Sequence, residues 1–200
     1  MTAVGEAERP KRAAERIQDS ARELFYRQGI RAVGVDEIVA RAGVTKPSLY
    51  RSFPSKDELV ADYLRQYGVE FMQRFEAAIA AHSGEPRAGV LAWMKAVGER
   101  ATQADYRGCG ITNAVVEYPD PTHPGRAAAE ANKTALRQRL QDLARDMGAR
   151  HPRALGDSLL LLMEGCYATG QLFGRGGPAA VVEYTAAALI AADTGVAVAS

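Results

Sequence analysis

Cysteine is nearly absent from this chain: its 200 residues include two, Cys109 and Cys166, far apart in sequence. That scarcity excludes a disulfide scaffold and fits a reducing compartment. Long apolar runs are missing as well. A membrane span needs roughly 18 consecutive apolar residues. The two most apolar stretches, Leu155 to Cys166 and Ala179 to Ala192, are interrupted by Gly156, Asp157, Glu164, Glu183 and Tyr184. Met1 to Arg12 is polar and lacks the apolar centre of a secretory signal, so a cytoplasmic location with no membrane partner is expected. No Gly-rich phosphate loop occurs, and no segment alternates as a strand does. Neither a cofactor nor a metal is expected.

What the chain does have is hydrophobic content, 47%, enough to bury a core and argue against extensive disorder. Its formal net charge is only +1, but the distribution is uneven. Between Arg9 and Lys56 eleven Lys or Arg face five Asp or Glu, leaving the remainder acidic. A basic first quarter on an acidic body suggests a nucleic-acid contact at one end.

Residues 1–9 read as a disordered tail. From Pro10 the pattern turns helical, with Ala13, Ile17, Ala21, Leu24 and Phe25 on one face and Gly29 as the stop. A short helix, Val35 to Ala42, ends at Gly43. Thr45 reads as the N-cap of another short helix over about Lys46 to Ser52, with Pro47 tolerated in its first turn. Ser55 and Glu58 form a capping-box pattern for a long fourth helix, through Leu59, Tyr63, Tyr67, Phe71 and Phe75 to about Ala81. Pro86, Pro124, Pro152 and Pro178 punctuate the rest. Helices are expected at about 86–104, 110–118, 124–148, 152–174 and 178–193. The fold class is therefore all-α with about nine helices. Residues 10–54 form a head, and 55–195 form the body.

Two short helices meeting at Gly43 have the spacing of a helix-turn-helix. Ile38, Ala42 and Leu49 are expected to pack inward and Val44 to fill the angle. Thr45, Lys46, Ser48, Tyr50 and Arg51 are then left facing out, with no core to fill.

The string Gly43-Val44-Thr45-Lys46-Pro47-Ser48-Leu49-Tyr50-Arg51-Ser52-Phe53, followed by Lys56 and Leu59, resembles the recognition segment of the TetR family of repressors. Phe25, Gly29, Val35, Ile38 and Ala42 match the same pattern, so the resemblance spans roughly residues 13–60. It implies a three-helix DNA-binding head joined by the fourth helix to a ligand-binding and dimerisation domain. It further implies a homodimer on a palindromic double-stranded DNA operator, released by a small-molecule inducer. Position by position, it assigns Tyr50 and Lys56 to phosphates, and Thr45, Lys46, Pro47, Ser48 and Arg51 to base edges or backbone. The chain departs from the family at Gly34, where a Thr or Ser usually caps the second helix, so no hydroxyl contact is assigned there.

Arg107 to Tyr118 resembles a GC-x-x-x-N-x-x-x-E segment found in a subset of that family that includes electrophile- and redox-responsive regulators. On a helix Cys109, Asn113 and Glu117 share one face. That stripe reads as pocket lining, as a sensor thiol, or as polar groups holding neighbouring helix ends. An anion at a helix start is favoured by the helix dipole, and Arg107 adds to this. The ligand pocket is expected to use Trp93, Val97, Tyr106, Cys109, Asn113, Glu117, Met163 and Tyr167, with Met94 and Phe173 nearby. The last two helices are apolar on more than one face, so Leu159, Leu162, Cys166, Val182, Ala186 and Leu189 are expected at a dimer interface. A metal at Glu117, Asp120 and His123 is conceivable, but a proline-rich loop facing water is the plainer reading. Two rivals stand beside a regulator: a helical DNA-binding or architectural protein without ligand control, and a hydrolase built on Cys109, His123 and Glu117. Nothing in the sequence orients those three, and the chain is not expected to be an enzyme.

Overall fold

The computed structural model describes residues 12–196; the expected tail at 1–9 lies outside them. Among the described residues there are nine α-helices and no strand. The head contains α1 (Ala13–Gln28), α2 (Val35–Ala42) and α3 (Lys46–Ser52). The body contains α4 (Lys56–Ala80), α5 (Pro86–Ala101), α6 (Gly110–Glu117), α7 (Pro124–Asp146), α8 (Pro152–Phe173) and α9 (Val182–Thr194).

The boundaries follow local chemistry. Gly43 takes the left-handed conformation (φ 60°, ψ 42°), which costs a glycine least. The Val44 N–H then closes back on the Val39 carbonyl at 3.0 Å, turning the chain sharply into α3. Ser55 caps α4 by accepting from the Glu58 N–H at 3.1 Å. Pro86, Pro124 and Pro152 open α5, α7 and α8, where a missing N–H leaves no bond unmade. The expected helix at 178–193 is split: Pro178–Val181 is a tighter 3-10 turn, and α9 starts only at Val182. The tighter turn lets the Ala179 carbonyl and the Val182 side chain lie directly on Gly98 of α5.

One continuous apolar core runs from head to body. Ile17, Leu24, Phe25, Ile38 and Leu49 fill the head, and Leu59, Leu64 and Phe75 carry the core into the body along α4. There α4 lies against α7, and α7 against α8. Gly68 makes the first approach possible, because any β-carbon there would collide with the Asn132 side chain. Among the described residues no helix is long and apolar enough to cross a membrane.

Candidate nucleic-acid interface and cavity

Leu49 is buried beneath α3, and this single anchor turns the opposite face outward. Thr45, Lys46, Pro47, Tyr50 and Arg51 are exposed on that face and Ser48 is half-buried. Tyr50 is 48% exposed although it is aromatic. The Arg51 guanidinium donates to Ser48 Oγ at 2.7 Å, which holds it over α3. Lys46 pairs with Asp36 at 2.7 Å, an exposed contact that a phosphate can displace. Thr45 occupies the N-cap position by its backbone alone; its hydroxyl points to Ser48 Oγ (3.4 Å) and caps nothing. Lys56 differs from the other six. Its Nζ donates to the Ile30 carbonyl at 2.7 Å and lies 6.0 Å from the centre of the Phe25 ring. Burial pushes its pKa below the usual lysine value. It braces the α1–α2 loop, and only the ammonium's remaining donors are available to an anion.

A cavity of about 900 Å³ opens between α1, α4, α5, the loop before α6, and α8. Of the residues expected to line it, Trp93, Val97, Tyr106, Cys109 and Tyr167 do so. Met163 and Met94 do not: both are fully buried in the core. Phe173 is exposed at the end of α8, away from the cavity. The sequence reading missed Tyr63, Tyr67 and Phe71 of α4 and Arg22 and Tyr26 of α1. The aromatics of α4 were visible as a helical stripe, but a stripe does not say whether it faces core or cavity. The floor is aromatic: Trp93 meets Phe71 and Phe75 edge to face at 5.4 and 5.2 Å. Burial raises the phenol pKa of Tyr63, Tyr67, Tyr106 and Tyr167, so these hydroxyls stay neutral and able to donate.

Asn113 and Glu117 do not line this cavity; they line a smaller cleft of about 240 Å³ shared with α1 and the α1–α2 loop. They turn toward the head, because α6 is attached end-on to the α1–α2 loop. Glu117 Oε1 accepts from the Ile30 N–H (3.1 Å), and Oε2 accepts from the Arg31 N–H (2.7 Å). The Arg31 guanidinium returns a contact to the Glu117 carbonyl at 3.4 Å. Asn113 donates to the Arg107 carbonyl at 2.6 Å, fixing the loop that enters α6. A second latch joins the same loop to α1. The Tyr26 hydroxyl donates to the Gly108 carbonyl (3.2 Å) and accepts from the Arg107 N–H (3.1 Å). Of the shared stripe, only Cys109 reaches the cavity wall. Its Sγ lies 3.6 Å from Lys133 Nζ, and Lys133 is ion-paired with Glu164. His123, the imagined metal ligand, caps α7 by accepting from the Gly125 N–H and stacks on Tyr118 at 3.8 Å. Among the described residues no cluster of three metal-ligating side chains occurs.

Four of the six residues expected at the dimer interface need correction. Leu159, Cys166, Val182 and Ala186 are buried within the chain's own core, and Leu162 and Leu189 are half-buried. Burial also raises the Cys166 thiol pKa. The uncovered apolar face lies elsewhere on the same helices. Leu161 (73% exposed), Gly165, Ala168 and Leu172 (75%) recur at helical spacing on α8. Val181, which ends the 3-10 turn, and Tyr184 and Ala188 of α9 are exposed as well. Periodicity had shown that both helices were apolar on more than one side, but not which side the core would take.

Comparison with known proteins adds to this geometry. Residues 17–63 match a family model described as bacterial regulatory proteins, tetR family. The chain is similar to SCO4454, a TetR-family transcriptional regulator from Streptomyces coelicolor. The two are 31% identical over 91% of this chain and 96% of that one, with a TM-score of 0.82. It is also similar to a putative TetR-transcriptional regulator from Streptomyces avermitilis, at 28% identity over 92% and 98% of the two chains and a TM-score of 0.77. The HTH-type transcriptional regulator YjdC of Escherichia coli K12 is 25% identical, across 76% of this chain and 80% of its own length.

Proposed function

The chain belongs to the TetR family of transcriptional regulators, and from that premise we propose that it is a dimeric repressor whose hold on operator DNA is set by a small molecule in the cavity. The head, residues 10–54, reads the DNA, and the body, residues 55–195, senses and pairs. The observation that carries this reading is the double latch, because it joins the wall of the cavity to the head. Asn113 and Tyr26 hold the loop that lines the cavity, and Glu117 holds the loop that leads into α2. A ligand that shifts the residues at 104–109 therefore shifts α6 and, through Glu117, the head. Two recognition helices fit successive major grooves only at a spacing of about 34–36 Å or a multiple of it. A small swing of each head is enough to lose that fit. By linkage, operator and ligand weaken each other's binding equally. A mobility shift on the DNA upstream of the coding sequence tests the reading; a protein that ignores duplex DNA at low ionic strength is not this regulator.

The pairing surface we assign is Leu161, Gly165, Ala168 and Leu172 with Val181 and Tyr184, supported by their shared exposure. Paired about a twofold axis, α8 and α9 of each subunit form a four-helix contact in which Gly165 and Ala168 permit close approach. Leu161→Glu is expected to yield a folded monomer on size exclusion that has lost cooperative operator binding. Leu159→Glu, two residues away but in the core, is expected to unfold the chain instead. A Leu161→Glu protein that stays dimeric at micromolar concentration places the interface elsewhere.

A second reading rests on Cys109, which lies on the cavity wall beside Lys133. In it the inducer is electrophilic or oxidising and modifies this thiol. N-ethylmaleimide is then expected to release the parent protein and the Cys166→Ser variant from DNA, and to leave Cys109→Ser bound. Equal release of all three removes the thiol from the mechanism.

A further inference from the structure

The cavity has an uneven chemistry, with an aromatic floor and a rim of arginines. Arg22, Arg27, Arg74, Arg100 and Arg107 all reach it and all are exposed. The carboxylates at the same rim are already engaged. Asp105 is paired with Arg100 at 2.8 Å, Glu23 with Arg41 and Arg27, and Asp19 also has a partner. Arg22 is occupied in turn by both oxygens of Glu70. Arg107 stands apart. Its side chain makes no ion pair among the described residues, yet its backbone is fixed on both sides, the N–H by Tyr26 and the carbonyl by Asn113. It is a cation on a prearranged base at the mouth of an apolar hole, so little ordering is needed to use it.

The floor makes a matching demand. Tyr63 and Tyr167 hydroxyls and the Trp93 indole N–H are buried without a protein partner, and all three residues line the cavity. An indole N–H can only donate, and buried polar groups are normally bonded. Donors below and a guanidinium above together select for acceptor atoms on a ligand and against a cation.

We infer that the cavity takes a small aromatic or fused-ring carboxylate whose rings, carrying an acceptor for the buried donors, lie among Phe71, Trp93 and Tyr167 and whose anionic end lies on Arg107. The inference rests on the cavity being the regulatory site and adds the class of molecule that enters it. The ligand's charge is then the handle. Pulling on Arg107 moves the loop tied to Tyr26 of the head directly and, through Asn113 and α6, to Glu117, the two latches between cavity and head.

Trp93 is the chain's single tryptophan, so its emission reports occupancy of the floor directly. Three probes sharing one ring system test the class: biphenyl-4-carboxylate, biphenyl-4-methanol and biphenyl-4-methylamine, each titrated by calorimetry and by Trp93 emission. The carboxylate is expected to bind about tenfold or more tightly than the alcohol, the scale of one charge-assisted hydrogen bond, and the amine most weakly. In Arg107→Gln the carboxylate is expected to fall to the level of the alcohol while the alcohol binds as in the parent, which also shows that the variant is folded. An advantage of the carboxylate that survives Arg107→Gln, or tightest binding of the amine or the alcohol, overturns the anion and leaves the cavity reading intact. If none of the three produces heat or changes Trp93 emission, the ligand class is overturned. A mobility shift without any probe reports separately on the DNA reading.

Discussion

Arg51→Ala is expected to abolish measurable operator binding at physiological salt while leaving the fold and melting temperature unchanged. Arg51 lies exposed on α3, held in place only by Ser48, so its loss removes no core contact. In the major groove a guanidinium can take both acceptors of a guanine edge, and losing one such contact costs about 1–3 kcal/mol. A twofold dimer loses it twice, so the operator affinity is expected to fall by about two to four orders of magnitude. Non-specific binding is expected to persist, because phosphate contacts supply it. Lys46→Ala gives the contrast: about uniform weakening on every sequence, with a shallower dependence on salt. Lys56→Ala is expected to behave differently again, because its ammonium braces the Ile30 carbonyl; a lowered melting temperature should accompany any loss of affinity. Arg51→Ala that binds operator like the parent removes α3 from the role of recognition helix.

The head was legible in the sequence because each of its elements is specified locally. Gly43 marks where a left-handed helix end costs least, Leu49 has one apolar neighbour face to join, and a helix as short as α3 has no second side to hide. The two ends of α2 and α3 therefore fall where the residues alone place them. The body was legible in its helices but not in its surfaces. Proline at N1 marks where α5, α7 and α8 begin, yet nothing local decides which apolar stripe of α8 turns inward. Leu159 went to the core and Leu161 to the surface, a choice made by the packing of α7 and α9 around α8. The cavity was half-legible for a related reason. Trp93 and Tyr167 are large aromatics on body helices, whereas Arg22 and Tyr26 belong to a helix that sequence assigns wholly to the head. Asn113 and Glu117 stand out as unusual on an apolar helix, but the sequence reading assigns them to the pocket; their partners were invisible because those lie more than eighty residues away, or in the loop leading into α6.

Glu117→Ala is expected to open the latch by which α6 holds the head, and to do so in a way that a general loss of stability cannot imitate. The carboxylate accepts two backbone N–H groups, from Ile30 and Arg31, in a loop where Lys56 is the other side-chain brace on Ile30 among the described residues. A hydrogen bond to a charged group contributes about 1.5–3 kcal/mol when buried, and half-exposure lets water recover part of each. A net loss of about 2 kcal/mol corresponds to a fall of roughly 4–8 °C in melting temperature for a chain of this size. The amides of Ile30 and Arg31 should then exchange with solvent faster, while those in the middle of α4 keep their protection. Operator affinity is expected to drop about tenfold, because each head must now be ordered on binding, and what remains should no longer respond to occupancy of the cavity. Arg31→Ala removes only the long guanidinium contact to the Glu117 carbonyl and is expected to leave both the exchange pattern and the response in place. If Glu117→Ala still leaves DNA when the cavity is filled, at the parent's ligand concentration, the signal travels by another route. The Tyr26 latch to the Arg107 and Gly108 backbone and the direct α1–α4 contact would then be the remaining mechanical links between sensor and head.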